Sequence, residues 1–247
     1  MIAESSKSDL QAAGRPLKIK VCGLTRPSNV EEISSLQPDF AGFIFYPGSR
    51  RYVGDHPDPA LFRIPAEGTA RVGVFVNEPV SRVRRLFESC LLDLVQLHGS
   101  EPVAYCRELI DAGIPVIRAI HAGYQSSDGS QEGDRKGALD LEQLDRFCGA
   151  AHYLLFDSGK SGTGGSGKPF DWRLLDDLNV PLPFLLGGGI GPDDADRIRE
   201  FPHPSLFGVD LNSRFETSPG IKDAELLGIF MERLREPYKR NETWSEK

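Results

Sequence analysis

Eight short apolar runs recur along the chain from Lys18 onward, and stretches with helical periodicity separate most of them. The runs are nearly continuous in hydrophobic residues, which is typical of parallel strands that are buried on both faces. Eight repeats of strand and helix in about 220 residues favour a single (β/α)8 TIM barrel of the α/β class over an open doubly wound sheet. We predict the strands at KIKVC (18–22), FAGFIFY (40–46), RVGVFV (71–76), LVQLH (94–98), PVIRAI (115–120), HYLLFD (152–157), PFLLGG (183–188) and LFGVDL (206–211).

The segments between the strands predict helices. Ser28 is the expected N-cap of a helix over 29–36, and Pro79 is expected to open a helix that reaches Cys90. In residues 102–112 the apolar side chains recur at helical spacing and share one face. Further helices are predicted over 139–148, 171–178, 193–200 and 223–234.

One domain accounts for most of the chain. We place the barrel at residues 18–238, between a disordered N-terminal tail (1–17) and a C-terminal tail (239–247). The N-terminal segment lacks the apolar region of a secretory signal, and no run of 18 apolar residues predicts a membrane span. We therefore expect a cytoplasmic protein that does not bind membranes. A Gly- and Ser-rich stretch at 121–137 predicts a long surface loop.

Charge and cysteine content exclude several classes of function. The net charge of −7 argues against nonspecific nucleic-acid binding, which requires a basic face, although a few local donors can still hold a small phosphate group. No CxxC or CxxH pair is present, so no zinc site is predicted. Four cysteines in 247 residues do not form a disulfide framework, and we expect free thiols in a reducing compartment; they are Cys22, Cys90, Cys106 and Cys148.

Polar side chains follow several of the predicted strands at their carboxyl ends, where the active sites of these barrels lie. A thiol, a guanidinium, an imidazole and two carboxylates are available there: Cys22, Arg51, His98, Asp157 and Asp210. Each also has a purely structural interpretation. A lone cysteine with apolar neighbours is usually a small buried hydrophobe, the Arg50–Arg51 pair can be solvated, and Asp157 can cap a turn. Their convergence on one edge of the barrel favours a functional site.

Two glycine-rich loops predict a phosphate site. Residues 162–168 match the G-x-x-x-x-G-K pattern of nucleotide-binding loops, but Pro169 stands where a magnesium-binding Ser or Thr is needed. The second loop, 187–191, lacks the full spacing of a dinucleotide fingerprint. Backbone N–H groups of both loops can approach a phosphate closely, and a helix starting after Pro192 would add its dipole. We therefore predict a phosphate group and not a nucleotide as the ligand.

These features together resemble phosphoribosylanthranilate isomerase. The resemblance implies the third step of tryptophan biosynthesis from chorismate, a part of aromatic amino-acid biosynthesis. In that step N-(5-phosphoribosyl)anthranilate rearranges to 1-(2-carboxyphenylamino)-1-deoxyribulose 5-phosphate by the Amadori reaction, without a cofactor or a metal. The matching segments are KVCGLT (20–25), AGFIFYPGSRRYV (41–53), VGVFVNEP (72–79), VQLHGSE (95–101), LLFDS (154–158), GGSGKPFDW (164–172), LLGGGI (185–190) and GVDLNSRFE (208–216).

The resemblance also implies a role for each matched residue. Cys22 would be the general base, Asp157 the general acid, and Arg51, in preference to Arg50, the residue that holds the anthranilate carboxylate. The remaining substrate contacts, including those to phosphate, would come from His98, Asp210, Gly165, Ser166, Gly167, Gly187, Gly188, Gly189, Asn212 and Ser213.

The chain departs from the family after its eighth strand, where Arg214 stands in a run that usually contains small residues. Three other functions stay open. The related isomerase of the histidine pathway carries an aspartate in place of the cysteine, and a non-catalytic phosphate binder could lose the acid or the base. A Walker-type ATPase would need the 162–168 loop, and Pro169 argues against it. We expect a monomer or homodimer whose partner is a small phosphorylated substrate.

Overall fold

A computed structural model describes residues 16–121, 144–158, 171–176 and 178–236 of the chain. It confirms the predicted (β/α)8 barrel, because eight parallel strands close in chain order. The strands are β1 (Lys18–Cys22), β2 (Phe40–Ile44), β3 (Ala70–Phe75), β4 (Leu94–Leu97), β5 (Val116–His121), β6 (Tyr153–Asp157), β7 (Phe184–Leu186) and β8 (Leu206–Leu211). The first strand closes the ring by pairing with both β2 and β8.

Helices cover the outside of this barrel. They are α1 (Pro27–Ser34), α2 (Ala60–Arg63), α3 (Val80–Ser89), α4 (Val103–Asp111), α5 (Ala195–Arg199) and α6 (Ala224–Arg235). The prediction that Ser28 caps the first helix is wrong, because α1 begins at Pro27 and Arg26 precedes it. Proline suits the first position of a helix, where its missing N–H has no partner to lose. Within the described part of the chain, no helix is long and apolar enough to cross a membrane.

Several predicted elements are shorter than the sequence suggested. Short 3-10 turns over Trp172–Leu175 and Pro192–Asp194 replace the first part of two predicted helices. Of the helix predicted at 139–148, only residues 144 and 145 are helical, and 139–143 lie outside the described residues. A small antiparallel hairpin follows β8 and was not predicted; its strands are β9 (Glu216–Ser218) and β10 (Ile221–Lys222).

Some of the predicted loop and domain boundaries lie in residues that the structure does not describe. The predicted loop at 121–137 begins inside β5, which includes His121, and its remainder lies outside the described residues, as do 1–15 and 237–247. The division into a barrel at 18–238 and two tails therefore stays a prediction.

Side chains alternate between the inside of the barrel and the surrounding helices. On β1, Ile19 and Val21 point outward into the main hydrophobic core, whereas Lys20 and Cys22 share the inward face. The lower interior is filled by apolar side chains in the layered manner of such barrels: Phe40, Val72, Leu94, Ile117, Ala119, Leu155 and Leu185. The upper interior is formed by the last inward residue of each strand, and polar groups are concentrated there.

A buried ion pair fixes the loop after β4. The carboxylate of Glu101 accepts hydrogen bonds from the backbone N–H groups of Asn77 and Gly99, at 2.7 and 3.0 Å. It also accepts one from Arg118 of β5, at 2.9 Å, and its side chain is only 1% exposed. This single carboxylate therefore joins three loops or strands close to the upper end of the barrel.

Replacing Glu101 by alanine should lower the free energy of unfolding by about 3–5 kcal/mol, because Arg118 would keep its charge in a buried place without its acidic partner. Urea denaturation of the wild type and the variant measures this difference. The control is Glu108→Ala on the exposed face of α4, which should change stability by less than about 0.5 kcal/mol. Equal effects of both substitutions would contradict this function of the ion pair.

Candidate active site

A pocket opens at the carboxyl ends of the strands, where such barrels place their active sites. It contains about 730 Å³ of empty space, with its open mouth included. Its lining combines apolar and polar side chains with the loop after β7: Cys22, Ile44, Tyr46, Ser49, Val74, Val76, Gln96, His98, Asp157, Gly188, Gly189, Ile190, Asp210, Asn212 and Ser213.

Cys22 ends β1 at the floor of this pocket and is 3% exposed. The neighbouring strand makes room for its thiol with Gly42, where a β-carbon would lie 2.8 Å from Cys22 Sγ and 3.0 Å from its Cα. Any larger residue at this position of β2 would displace the thiol. Burial raises the pKa of Cys22, and the positive charge of Lys20 opposes that effect.

Lys20, a residue that sequence analysis did not select, lies inside the barrel two residues before Cys22. Its side chain is completely buried, and Nζ donates a hydrogen bond of 2.8 Å to Oδ1 of Asp210. The parallel register of β1 and β8 places these two residues side by side. Although burial lowers the pKa of Lys20, the contacts with Asp210 and Cys22 raise it above its ordinary value, so the amine stays protonated. Asp210 therefore pairs with a protein cation below the pocket.

Asp157 ends β6 and contacts an imidazole. The Nε2 atom of His98 lies 3.2 Å from Oδ2 of Asp157, and Nδ1 of the same ring lies 3.1 Å from the amide nitrogen of Gln96. His121, at the end of β5, packs edge-on against His98 with 5.1 Å between the ring centroids. Burial and then His98 lower the pKa of His121, which keeps this second imidazole neutral near pH 7. His98 was predicted to contact substrate; here it contacts the predicted acid.

Arg51 belongs to a buried network that joins two loops. Its Nε and Nη2 atoms donate to the two carboxylate oxygens of Glu216, at 2.8 and 2.7 Å. Glu216 also accepts from Lys222 Nζ at 2.6 Å, and Lys222 donates to Oδ1 of Asn212 at 2.8 Å. Burial lowers the pKa of Lys222 to about 8, an effect that Glu216 opposes. Arg50, in contrast, is exposed.

The loop after β7 brings two glycines to the pocket. Gly188 has a positive φ of 74°, and a β-carbon on it would meet the backbone nitrogen of Ser158 and lie 3.0 Å from Oδ1 of Asp157. Only glycine allows the backbone to pass so close to the predicted acid. Gly187 was predicted to bind phosphate. In the structure this glycine is buried, and its backbone N–H donates to the carbonyl oxygen of Phe156 at 2.8 Å.

The helix predicted after Pro192 offers a phosphate group less help from its dipole than the sequence suggested. The backbone N–H of Gly191 donates to the carboxylate of Asp194 at 2.8 Å, so an acidic side chain already occupies the start of the 3-10 turn. Arg214 is exposed, and its guanidinium lies over Gly191: a β-carbon there would lie 2.9 Å from Arg214 Nε. This arginine places a positive charge beside the same loop.

Most of the predicted site residues meet at this pocket. Those that line it are Cys22, His98, Asp157, Gly188, Gly189, Asp210, Asn212 and Ser213. Arg51 and Gly187 adjoin it without lining it, and Gly165, Ser166 and Gly167 lie outside the described residues, with the rest of the 162–168 loop. Within the described ranges, no group of three His, Cys, Asp or Glu side chains could hold a metal ion.

The closed barrel, with a thiol and a carboxylate facing one pocket at its carboxyl edge, defines a (β/α)8-barrel protein with a candidate active site at that edge. Residues 19–233 match the family model described as N-(5'phosphoribosyl)anthranilate (PRA) isomerase. An N-(5'-phosphoribosyl)anthranilate isomerase of Parabacteroides distasonis is 37% identical over 228 residues, which cover 89% of this chain and 94% of the relative. The chain belongs to this family and is an isomerase of tryptophan biosynthesis that interconverts an aldose and a ketose.

Solved structures agree with this membership. The phosphoribosyl anthranilate isomerase of Thermus thermophilus superposes with a TM-score of 0.72 at 29% identity, covering 88% of this chain and 98% of that one. A second isomerase of this name, solved in complex with reduced 1-(o-carboxyphenylamino)-1-deoxyribulose 5-phosphate, has a TM-score of 0.66 at 27% identity with the same coverage.

Proposed function

We propose that this chain converts N-(5'-phosphoribosyl)anthranilate to 1-(2-carboxyphenylamino)-1-deoxyribulose 5-phosphate with Cys22 as general base and Asp157 as general acid. The observation that carries this assignment is the shared pocket. Cys22 and Asp157 are the last residues of their strands, and both side chains line the same cavity. An aldose–ketose rearrangement needs one group that gives a proton and one that removes a proton, and these two side chains supply that pair.

The proton transfers follow from the chemistry of the substrate. Protonated Asp157 donates to the ring oxygen of the ribose, the bond from this oxygen to C1 breaks, and the nitrogen lone pair forms an iminium at C1. The Cys22 thiolate then removes the proton from C2, and the electron pair of that C–H bond moves toward nitrogen to give an enolamine. Tautomerisation of the enolamine yields the ketone. A thiolate is the reactive form of cysteine, so the first state of the site needs an ionised Cys22 and a protonated Asp157.

The anthranilate carboxylate fits the unused edge of Arg51. Glu216 occupies the edge of the guanidinium formed by Nε and Nη2, and the edge formed by the two terminal nitrogens can bind a second carboxylate through two parallel hydrogen bonds. Arg51 also lies against the residue that follows Cys22, since a β-carbon on Gly23 would lie 2.6 Å from Arg51 Cδ. A carboxylate bound there would sit beside the base.

The phosphate fits the rim formed by the loops after β7 and β8, where these barrels bind phosphate groups. Gly188 and Gly189 supply backbone at this rim, and Ser213 supplies a hydroxyl. Arg214 adds a charge next to Gly191. We assign the strand-8 contribution to Ser213 and Arg214, in place of the small residues that the family usually has there.

Arg51→Ala should raise KM by about 10- to 100-fold with a much smaller change in kcat, because hydrogen bonds to a charged group contribute about 1.5–3 kcal/mol. Steady-state kinetics with enzymatically generated substrate measures both constants. Arg50→Ala is the matched control: it removes the neighbouring but exposed arginine and should leave KM unchanged. If instead Arg50→Ala raised KM and Arg51→Ala did not, the carboxylate would be bound by the other arginine.

A coupled turnover assay tests the function itself. A phosphoribosyltransferase first joins anthranilate and phosphoribosyl pyrophosphate to N-(5'-phosphoribosyl)anthranilate. The fluorescence of this compound is then followed after addition of this protein in the presence of EDTA. We expect a decay whose rate is proportional to the concentration of this protein. A folded sample that produces no decay would contradict the proposal and direct the assay to the histidine-pathway substrate, and then to binding of the substrate without turnover.

A further inference from the structure

The buried ammonium group below Cys22 has no function in the acid–base scheme described so far. Lys20 is 0% exposed and lies on the inward face of β1, two residues before the thiol, and its charge opposes the rise that burial causes in the pKa of Cys22. We propose that Lys20 is a positioning residue for the base: held in place by Asp210 on the same inward face as Cys22, its ammonium supplies the positive charge that a buried thiolate requires. This proposal deepens the proposed function, because it rests on Cys22 being the base.

The geometry favours this arrangement over a rotatable surface contact. The hydrogen bond of 2.8 Å between Nζ and Asp210 Oδ1 fixes the end of a long side chain, and strand pairing of Lys20 with Asp210 fixes the two backbones. An ammonium has three donors, so one can bind the carboxylate while another points to the sulfur. No solvent reaches the amine, and its charge is therefore weakly screened at the thiol.

Other charged groups also face Cys22 and must be weighed. Asp210 opposes ionisation of the thiol, whereas Lys222 assists it from the β10 side. Lys222 donates to Glu216 and Asn212, and Arg51 donates to Glu216, so these two cations share one carboxylate. Asp157 and His98 line the same pocket. Of the two lysines, Lys20 lowers the pKa of Cys22 more than Lys222 does, and its pairing with Asp210 also offsets the carboxylate that opposes the thiolate.

A solely structural function of Lys20 would give a different result. If the lysine served only to neutralise Asp210 inside the barrel, its removal would lower stability and leave the ionisation of Cys22 unchanged. If it acts on the thiol, its removal must shift the pH at which Cys22 becomes reactive, because only the thiolate attacks an alkylating reagent.

The test is the rate of alkylation of Cys22 by iodoacetamide between about pH 6 and pH 10, resolved from the other cysteines by peptide mass spectrometry. Lys20→Met removes the charge, and Lys20→Gln removes it while keeping an N–H donor for Asp210, which guards against a variant that does not fold. Thermal melting establishes that each sample is folded. We expect both variants to shift the midpoint to higher pH and to lower the rate at pH 7.5 by at least about tenfold.

The matched control is Lys18→Met. Lys18 lies on the same strand two residues earlier, carries the same charge and forms its own ion pair with Asp39 at 2.6 Å, but it is about 7 Å farther along the strand from Cys22. It should leave the alkylation curve unchanged. A folded Lys20 variant with the wild-type midpoint would overturn the proposal.

The two proposals fail in distinguishable ways. Alkylation reports on Lys20 and Cys22 without any turnover, so an inactive wild-type protein with the expected alkylation shift would reject the isomerase mechanism and keep the influence of Lys20 on the thiol. In an active enzyme, the acidic limb of the kcat profile should move to higher pH in Lys20→Gln by the same amount as the alkylation midpoint. A fall in kcat without that displacement would overturn the positioning function.

Discussion

We expect Cys22→Ser to lower kcat by at least about 10²-fold and to leave KM nearly unchanged, because it removes a group that accepts a proton in the transition state. Serine keeps the size and a polar atom at the end of β1, but its hydroxyl does not ionise near pH 7. The space beside Gly42 accommodates either side chain. A loss of kcat would therefore come from the missing base and not from a change in packing around residue 22. Steady-state kinetics on the anthranilate-derived substrate measures both constants.

The control is Cys90→Ser, which makes the same change at a buried cysteine that follows α3 and lies away from the pocket. Its kcat should stay within about twofold of the wild type, since it removes no group that faces the substrate. In the wild type we also expect kcat to rise with pH near neutrality, because burial raises the pKa of Cys22 and only the deprotonated form acts as base. A serine variant that keeps most of its kcat would remove Cys22 from the mechanism.

The fold could be predicted because burial on both faces leaves a direct signature in the sequence. Segments such as 94–98 and 206–211 are almost wholly apolar, and eight of them in series leave few architectures open. The rule that polar residues at carboxyl strand ends meet in one site then placed His98 and Asp157 correctly at a common pocket. These predictions needed only local composition and chain order.

Contacts between distant residues could not be predicted in this way. The pairing of Arg51 with Glu216 joins residues 165 positions apart, and it depends on the hairpin of β9 and β10, which is too short to leave a periodic pattern. Likewise, the sequence around Gly187 did not indicate that its backbone N–H would donate a hydrogen bond to the carbonyl oxygen of Phe156. Such features follow from how loops pack on the finished barrel, and composition carries no record of them.

Lys20 is an intermediate case, because a signal was present but was not used. A lysine in the middle of the first strand, two residues before Cys22, must place its charge on the same face as the thiol. A charge inside a barrel needs a partner of opposite sign, and the only acidic residue in the neighbouring apolar run at 206–211 is Asp210. Strand parity therefore predicts the ion pair once the barrel order is known.

Asp157→Asn should lower kcat by at least about 10²-fold with little change in KM. The amide has the shape of the carboxyl group and can still form a hydrogen bond with His98, but it has no acidic proton to give to the ring oxygen. Ring opening would then depend on water or on another donor.

The matched control for that substitution is Asp93→Asn at the opposite edge of the barrel, where the carboxylate precedes β4 and pairs with Arg71 at 2.7 Å. It removes the same charge and should change kcat by less than about twofold, since it is remote from the substrate. If Asp157→Asn kept most of its activity, His98 would become the candidate acid, because its Nε2 lies 3.2 Å from the carboxylate and lines the same pocket. His98→Asn would then be expected to cause the loss instead. Large losses in both variants would indicate that the imidazole and the carboxyl group deliver the proton together, and their double variant should then be no slower than the slower single one.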